Sequence, residues 1–144
     1  MKKIQIRQLR FRISAFTLLE SVMSLFVISF IFMMFTISFT NTINIIKGEL
    51  FILRFERIYR DTQFQSMVRK QSNNLEIVNK KLLYLGKEVE IPNQVEFLNS
   101  YKIRFSEDGG NSSLQKIEIY LPYTEKKMNY QLYVGSGKYR KSIS

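Results

Sequence analysis

An uncharged, mostly apolar run from Ser21 to Ile46 dominates the hydrophobic pattern of the chain. Folded as a helix, it would be about 39 Å long at 1.5 Å per residue, which exceeds the roughly 30 Å of a bilayer core. No proline occurs before Pro92, and Gly48 is the only glycine before Gly86, so the helix is expected to continue past the membrane. The pattern predicts one long N-terminal helix that is partly transmembrane.

The stretch from Lys47 to about Arg69 is amphipathic. Its core-facing residues have the i, i+4, i+7, i+8 spacing of one helical face: Phe51, Phe55, Ile58 and Tyr59. Further apolar residues are expected to broaden that face: Leu50, Ile52, Leu53, Phe64, Met67 and Val68. This face is predicted to pack on a sheet. Ser72-Asn73-Asn74 favours a turn and ends the helical pattern.

The remainder has the short alternating runs of an antiparallel sheet with one buried face. Leu75–Val78 and Leu82–Leu85 are predicted to form a hairpin, followed by a strand at Lys87–Ile91. Three later sets alternate: Tyr101, Ile103 and Phe105; Ile117, Ile119 and Leu121; Met128, Tyr130, Leu132 and Val134. A Gly-Asn-Ser-rich turn is expected at 107–113. The predicted fold class is α+β, a long N-terminal α-helix packed on a small antiparallel β-sheet.

Charge is concentrated before the apolar run. Residues 1–15 contain no acid and five cations: Lys2, Lys3, Arg7, Arg10 and Arg12. Such a basic flank should keep the N-terminus cytoplasmic and send the C-terminal part across the membrane. Glu20 is a lone carboxylate next to the span, where insertion costs about 2.5–3.5 kcal/mol at mid-membrane and less near the interface. Glu20 therefore needs a compensating partner.

The sequence Ala-Phe-Thr-Leu-Leu-Glu at Ala15–Glu20 resembles the processing site of type IV prepilins and pseudopilins. This resemblance implies a pilin-like fold, cleavage by a prepilin peptidase between Ala15 and Phe16, and N-methylation of Phe16. The expected organisation is a removed basic leader (1–15), a transmembrane and filament-core helix (16–46), an amphipathic extension (47–71) and a sheet domain (72–144). A secretory signal would cut after its apolar region, and an ordinary signal anchor gives no reason for Glu20.

Cleavage would expose an amine at Phe16, whose reference pKa of about 7.7–8 leaves it largely charged at neutral pH. In an apolar bundle, Glu20 of one subunit could pair with the amine of another, each relieving the cost of burying the other. Before assembly, a lipid headgroup or an arginine of the leader is the expected partner of Glu20. The pair is interpreted as an assembly salt bridge that sets register.

Composition argues against catalysis and against a bound cofactor. The chain has neither cysteine nor histidine, so thiolate chemistry and the usual general base and metal ligand are lacking. Glu107-Asp108 beside Gly109-Gly110 raises the alternative of a calcium loop, but the EF-hand pattern is missing. No metal site is predicted there, and a simple turn is favoured.

Basic residues near the C-terminus raise the alternative of weak DNA contact: Lys126, Lys127, Lys138, Arg140 and Lys141. Cations would neutralise phosphates, and neighbouring tyrosines could stack on single-stranded bases. Removing the leader, however, leaves 17 lysines and arginines against 12 acids, a modest net charge of +5. A solvated strand edge is the favoured interpretation.

A narrower resemblance rests on the C-terminal half. Gly109–Leu114, Lys116–Glu118, Tyr130–Gly135 and Gly137-Lys138 are similar to the competence protein ComGD family of minor pseudopilins. This implies a subunit of a Gram-positive competence pilus, needed for its assembly and for the uptake of external DNA. The implied partners are the major and other minor pseudopilins, prepilin peptidase and, indirectly, an assembly ATPase and a platform protein. The implied location is the cell membrane, single-pass with the C-terminal domain outside, and then a surface pilus.

Two rival functions remain open at this point. One is a pseudopilin of a type II-like secretion system or another type IV filament, which would share every N-terminal feature. The other is a single-span, membrane-anchored binding module that never enters a filament.

Overall fold

The computed structural model describes residues 17–36, 39–112 and 114–144 with their side chains. One helix, α1, spans Lys2–Arg69. The helix stops after Arg69 because Lys70 has a positive φ of 51°. The Gln71 N–H then bonds the Ser66 carbonyl at 3.2 Å, as is common at a helix C-terminus. The chain divides into two compact units, residues 1–41 and residues 42–144.

In the first unit the described part of α1 is long and apolar enough to cross a membrane. Its hydroxyl groups bond carbonyls one turn earlier, as Ser21 does to Thr17 at 2.8 Å and Thr36 does to Phe32 at 2.9 Å. Such back-bonding satisfies a polar side chain without water, which is what a lipid environment requires. The observed helix therefore agrees with the predicted transmembrane segment.

The second unit holds two antiparallel sheets formed by eight described strands. The strands are β1 (Asn73–Val78), β2 (Lys81–Tyr84), β3 (Lys87–Glu90), β4 (Glu96–Phe97), β5 (Tyr101–Phe105), β6 (Lys116–Leu121), β7 (Lys126–Leu132) and β8 (Tyr139–Ile143). The first sheet has the order β3-β2-β1-β5, and the second has the order β4-β6-β7-β8. The fold class is thus α+β, as predicted, although the expected single sheet is two.

The predicted hairpin is confirmed as β1 and β2. Val78 pairs with Lys81, so only Asn79 and Lys80 form the connection. Both have positive φ, 50° and 61°, which is the geometry of a two-residue turn that matches strand twist. Asparagine tolerates this conformation better than most residues.

The core of the second unit is built around the predicted helical face. Phe51, Phe55, Ile58 and Tyr59 are all buried there. Edge-to-face ring contacts join this face to the sheets: Phe55 to Phe97 and to Tyr130 at 5.6 Å each, Tyr59 to Phe105 at 5.0 Å, and Tyr59 to Tyr139 at 5.1 Å. The alternating residues of β5 and β6 are buried as predicted.

The expected broadening of the helical face is wrong except at Ile52, which is buried. The exposed residues are Leu50, Leu53, Phe64, Met67 and Val68. At about 100° per residue, Leu50, Leu53, Phe64 and Val68 lie about 140–180° from the centre of the buried face. They form a second apolar face of the helix. Val134 is also exposed, because β7 ends at Leu132.

Candidate functional site

The carboxylate predicted to guide assembly lies on the exposed surface of α1. Glu20 is exposed, and among the described residues no lysine or arginine lies within ion-pair distance of it. Its predicted partner, the Phe16 amine, and the cleavage position at Ala15 lie outside the residues whose side chains are described. Cleavage, methylation and the assembly pair therefore stay predictions.

The two glycine-containing segments that resemble the ComGD family meet in space. The Gly135 N–H bonds the Asn111 carbonyl at 2.9 Å, and the Gln63 amide of α1 bonds the Gly109 carbonyl at 2.9 Å. A Cβ on Gly110 would lie 2.5 Å from the Gly135 carbonyl oxygen, so only glycine allows this approach. The resemblance thus marks a packing junction between two loops and the helix.

Buried polar groups complete this junction. The Tyr59 hydroxyl donates to the Gly137 carbonyl at 3.1 Å. Burial raises the pKa of Tyr59 to about 12, and the neighbouring Asn111 side chain offsets part of that rise. Asn111 is itself buried, and its amide has no hydrogen-bond partner among the described residues. These contacts join the two loops to the helix.

A second polar cluster ties β8 to the helix. Glu56 accepts a hydrogen bond from the Tyr130 hydroxyl and one from the Lys141 ammonium, each at 2.7 Å. Burial alone would raise the pKa of Glu56, but the hydrogen bonds from Lys141 and Tyr130 outweigh it and lower that pKa below its usual 4.5. Burial, helped by the Glu56 carboxylate, raises the pKa of Tyr130. This carboxylate is therefore charged and structural at neutral pH.

Sequence reasoning missed the role of Glu56, because its partners are 74 and 85 residues away in the chain. Glu56 and Arg60 stand four residues apart on α1, a spacing that is typical of a helical ion pair. Arg60 contributes to the Glu56 site at longer range, through charge alone. No pattern in one sequence could have supplied the contact to β8.

The five basic residues considered for DNA contact are divided by the structure. Lys141 is engaged by Glu56, and Lys127 lies 3.3 Å from Glu118, which also holds Lys116 at 2.6 Å. Lys126 begins β7 and lies opposite Leu121 of β6, whereas Arg140 of β8 lies opposite Gln131 near the other end of β7. Lys126 is thus placed at the opposite end of β7 from Arg140.

The tyrosines expected to assist base stacking are only partly available. Tyr130 is buried and Tyr139 packs edge-on against it at 5.2 Å. Tyr123 and Tyr133 remain exposed. Of these four tyrosines, Tyr130 and Tyr139 pack against other rings, which leaves Tyr123 and Tyr133 for contact with bases.

No concentration of catalytic or metal-binding groups is present in the described residues. Within them, no three of the Asp, Glu, His and Cys side chains lie close enough together to hold a metal ion. A cleft of about 270 Å³ opens beside Asn79, Phe97 and Ser100, with a lining of mixed polarity. Its only charged side chains are Lys80 and Glu96, which gives it no evident chemistry.

Comparison with known proteins gives one informative similarity. The chain is 29% identical to competence protein ComGD of Streptococcus pneumoniae over 141 residues, which cover 98% of this chain and 87% of that protein. No protein-family profile matches the chain, and no solved structure matches it. The similarity extends over the helix and both sheets, and it confirms the family resemblance drawn from the two ends of the sequence.

Proposed function

We propose, from its similarity to competence protein ComGD, that this chain is a minor pseudopilin of a competence pilus, needed for pilus assembly and for the uptake of external DNA. The observation that carries the proposal is this similarity over 98% of the chain, together with the apolar stretch of helix that follows the Ala-Phe-Thr-Leu-Leu-Glu sequence. The role is one of assembly, and the chain would perform no catalysis of its own.

The first step of this role is processing of the N-terminus. A prepilin peptidase would cut between Ala15 and Phe16 and methylate the new amine. Removal of five cations would also free the helix from its cytoplasmic anchor. Mass spectrometry of the protein from native membranes should find a chain that begins at N-methyl-Phe16. A functional protein that retains its first 15 residues would contradict the proposal.

The second step is entry into the filament. Glu20 would pair with the Phe16 amine of a neighbouring subunit, since two opposite charges in an apolar bundle lower each other's burial cost. Head-to-tail contacts of this kind give open helical filaments when their rotation does not close. The major and other minor pseudopilins would provide the neighbours, and a cytoplasmic ATPase acting through a platform protein would provide the energy.

Neutralisation of Glu20 tests this step. Glu20→Gln should reduce the amount of this subunit in sheared pilus fractions, and transformation frequency with it, by at least about tenfold, which corresponds to about 1.4 kcal/mol of lost pairing. Glu49→Gln, on the exposed side of the same helix, is the matched control and should change neither. Normal incorporation of the Glu20→Gln protein would contradict the assembly salt bridge, and unchanged transformation without this subunit in any pilus fraction would favour a single-span binding module.

The proposed location is the cell membrane, with the residues after the span outside and the leader inside. Because the chain has no cysteine, a single cysteine introduced at Ser144 or at Lys3 can report sidedness. In a strain without prepilin peptidase, which retains the leader, a membrane-impermeant maleimide should label the first in intact protoplasts and the second only after lysis. A secretion defect without a transformation defect in a deletion strain would move the assignment to a secretion pseudopilin.

Direct DNA contact is the less favoured part of the function. The exposed cations that could make it are Lys126, Lys138 and Arg140, since Lys127 and Lys141 are paired with acids. Replacing these three by glutamine should leave both pilus assembly and transformation within about twofold of the unmodified protein. Loss of transformation with intact pili would show that this subunit touches DNA.

A further inference from the structure

The open edge of the second sheet is the basis of a further inference. β8 pairs with β7 and with no other described strand. Lys127 and Ser144 exchange both backbone hydrogen bonds, at 2.8 and 2.9 Å, which fixes the phase of the ladder. In an antiparallel ladder such pairs alternate with pairs whose backbone groups point outward. Tyr139, Lys141 and Ile143 therefore present their N–H and C=O groups on the free side of β8.

This edge carries basic side chains and no acidic one. No acid occurs anywhere in residues 126–144, whereas Lys138, Arg140 and Lys141 do. Arg60 of α1 adds its charge beside Tyr139, and the neighbouring carboxylate of Glu56 is already engaged by Lys141. Apolar surface accompanies the charge, since Ile143 is exposed at one end of the strand.

Two other strands of comparable length are outermost, β5 and β3 of the first sheet. One end of β5 is covered by the loop that follows it, since the Ser112 N–H bonds the Arg104 carbonyl at 3.2 Å and Phe105 bridges Asn111.

The other edge, β3, carries charge of both signs. Lys87 is basic, Glu88 and Glu90 are acidic, and Glu88 pairs with Lys81 of β2 at 2.5 Å. Pro92 follows two residues after the strand. Edge charge and a nearby proline both discourage strand addition. β8 has no proline, and its charge is of one sign, so it repels basic strands but not acidic ones.

The charge of β8 also limits which strand can join it. Antiparallel addition of a second β8 would set arginine and lysine against arginine and lysine, which is unfavourable for directly opposed residues. Nucleic acid would suit the charge but would leave the outward row of N–H and C=O groups without the alternating partners that a peptide backbone supplies. An acidic, extended peptide satisfies both features.

We propose that the free edge of β8 is a docking site for an extended, acidic segment of a partner protein, which binds as a fifth strand of the second sheet. The partner's backbone would pair with Tyr139, Lys141 and Ile143, and its carboxylates would lie near Arg140 on one face and Arg60 on the other. This inference goes beyond the proposed assembly role and does not depend on it, since it needs only the geometry and charge of β8.

A peptide-binding measurement on the full chain in detergent micelles tests the inference. The probe is a fluorescein-labelled heptapeptide of alternating glutamate and valine, and its counterpart has lysine in place of glutamate. Fluorescence anisotropy should show saturable binding of the acidic probe that weakens as salt is added, and no binding of the lysine probe. Absence of binding of the acidic probe, or equal binding of both, would overturn the proposal.

Two variants separate backbone pairing from charge. Ile143→Pro removes one outward N–H and leaves the Ser144–Lys127 bonds to β7 in place, so binding should weaken about tenfold. Ile143→Ala keeps that N–H and should weaken binding by less than about threefold. Equal effects of the two would show that the backbone edge is not used.

Charge is tested by Arg140→Glu, which should weaken binding of the acidic probe at least about tenfold. Lys87→Glu on β3 makes the same change of net charge and should have less than about a twofold effect. This pair keeps the test decisive if Ile143→Pro fails to fold. Equal effects of the two charge reversals, or tighter binding of single-stranded oligothymidine than of the acidic probe, would count against a peptide site.

Discussion

Glycine contacts at the level of single residues explain why two loops meet so closely. Gly110 has the Gly135 carbonyl oxygen 2.5 Å from where its Cβ would be, and the obstacle is backbone that cannot rotate away. The sequence predicts a turn around Gly110 and shows a glycine at position 135, but it does not predict that the two meet. The contact between the loops needed the structure, because neither segment carries a hydrophobic pattern that would predict it.

Replacement of Gly110 by alanine should therefore separate the two loops. Gly110→Ala is expected to lower the free energy of unfolding by about 1–3 kcal/mol, the usual cost of overpacking. Gly86→Ala is a contrasting control: open space surrounds it, and its positive φ of 72°, which Gly110 does not share, is the only expected source of its cost of about 1 kcal/mol. Thermal unfolding of the two proteins in micelles, followed by tyrosine circular dichroism, measures the difference. A smaller loss for Gly110→Ala than for Gly86→Ala would contradict the packing argument.

The elements of the fold were predictable where burial imposes a period. In β5, β6 and most of β7, buried apolar residues alternate with more exposed ones. The turn at Asn79-Lys80 was predictable from its residue types, since asparagine favours positive φ. β4 is only two residues long, too short to show a period. β8 has no buried residue, so its charged sequence shows no alternation that would predict a strand.

In the helix, the hydrophobic pattern did not fully predict which apolar residues are buried. Leu50, Leu53 and Phe64 are as apolar as the residues that are buried, and composition alone could not place them on the opposite side. Only strict attention to angle separates the two faces. The Glu20 part of the candidate site, by contrast, came from the sequence alone, since it rests on a motif and not on a tertiary contact.

The link between α1 and β8 should make stability depend on acid. Glu56 has a lowered pKa in the folded chain, so its contribution is present above about pH 4.5 and is lost as pH falls through the folded pKa. Glu56→Gln should cost about 1–2 kcal/mol at pH 7, a value reduced because Lys141 is a third exposed. The difference from the unmodified protein should shrink below about pH 4.5.

Unfolding of the Glu56→Gln protein at a series of pH values measures this effect. Glu125→Gln, in the exposed turn between β6 and β7, is the matched control and should be within about 0.5 kcal/mol of the unmodified protein. A Glu56→Gln penalty that stays constant from pH 7 to about pH 3 would show that packing, and not charge, is what the substitution removes.

At the scale of the whole molecule, the two units differ in where their apolar residues lie: those described in residues 1–41 are exposed, whereas residues 42–144 contain a buried core. Every buried hydrophobic residue among those described lies between Phe51 and Leu132. All the ladder pairings likewise lie within residues 42–144. The second unit therefore contains the interactions from which a stable domain is built.

A chain of residues 42–144 should consequently fold alone. We expect it to be soluble and to unfold in one cooperative transition, with near-ultraviolet circular dichroism of its tyrosines retained. Its full-length counterpart in micelles is the reference, and the two midpoints should agree within a few degrees. Loss of the tyrosine signal with retained secondary structure would indicate that residues before 42 are needed for packing.

The hydroxyls of Tyr59 and Tyr130 have a consequence for alkaline conditions. Both pKa values are raised by burial, that of Tyr59 from 10.0 to about 12, so the unfolded chain gives up these protons first and stability falls as pH rises above 10. In a base titration followed by tyrosinate absorbance, the exposed phenols should ionise gradually and this pair should follow later, abruptly, as the domain opens. The chain lacks tryptophan and has eight tyrosines. The tyrosinate absorbance of the protein thus reports the fraction of folded domains without an added label.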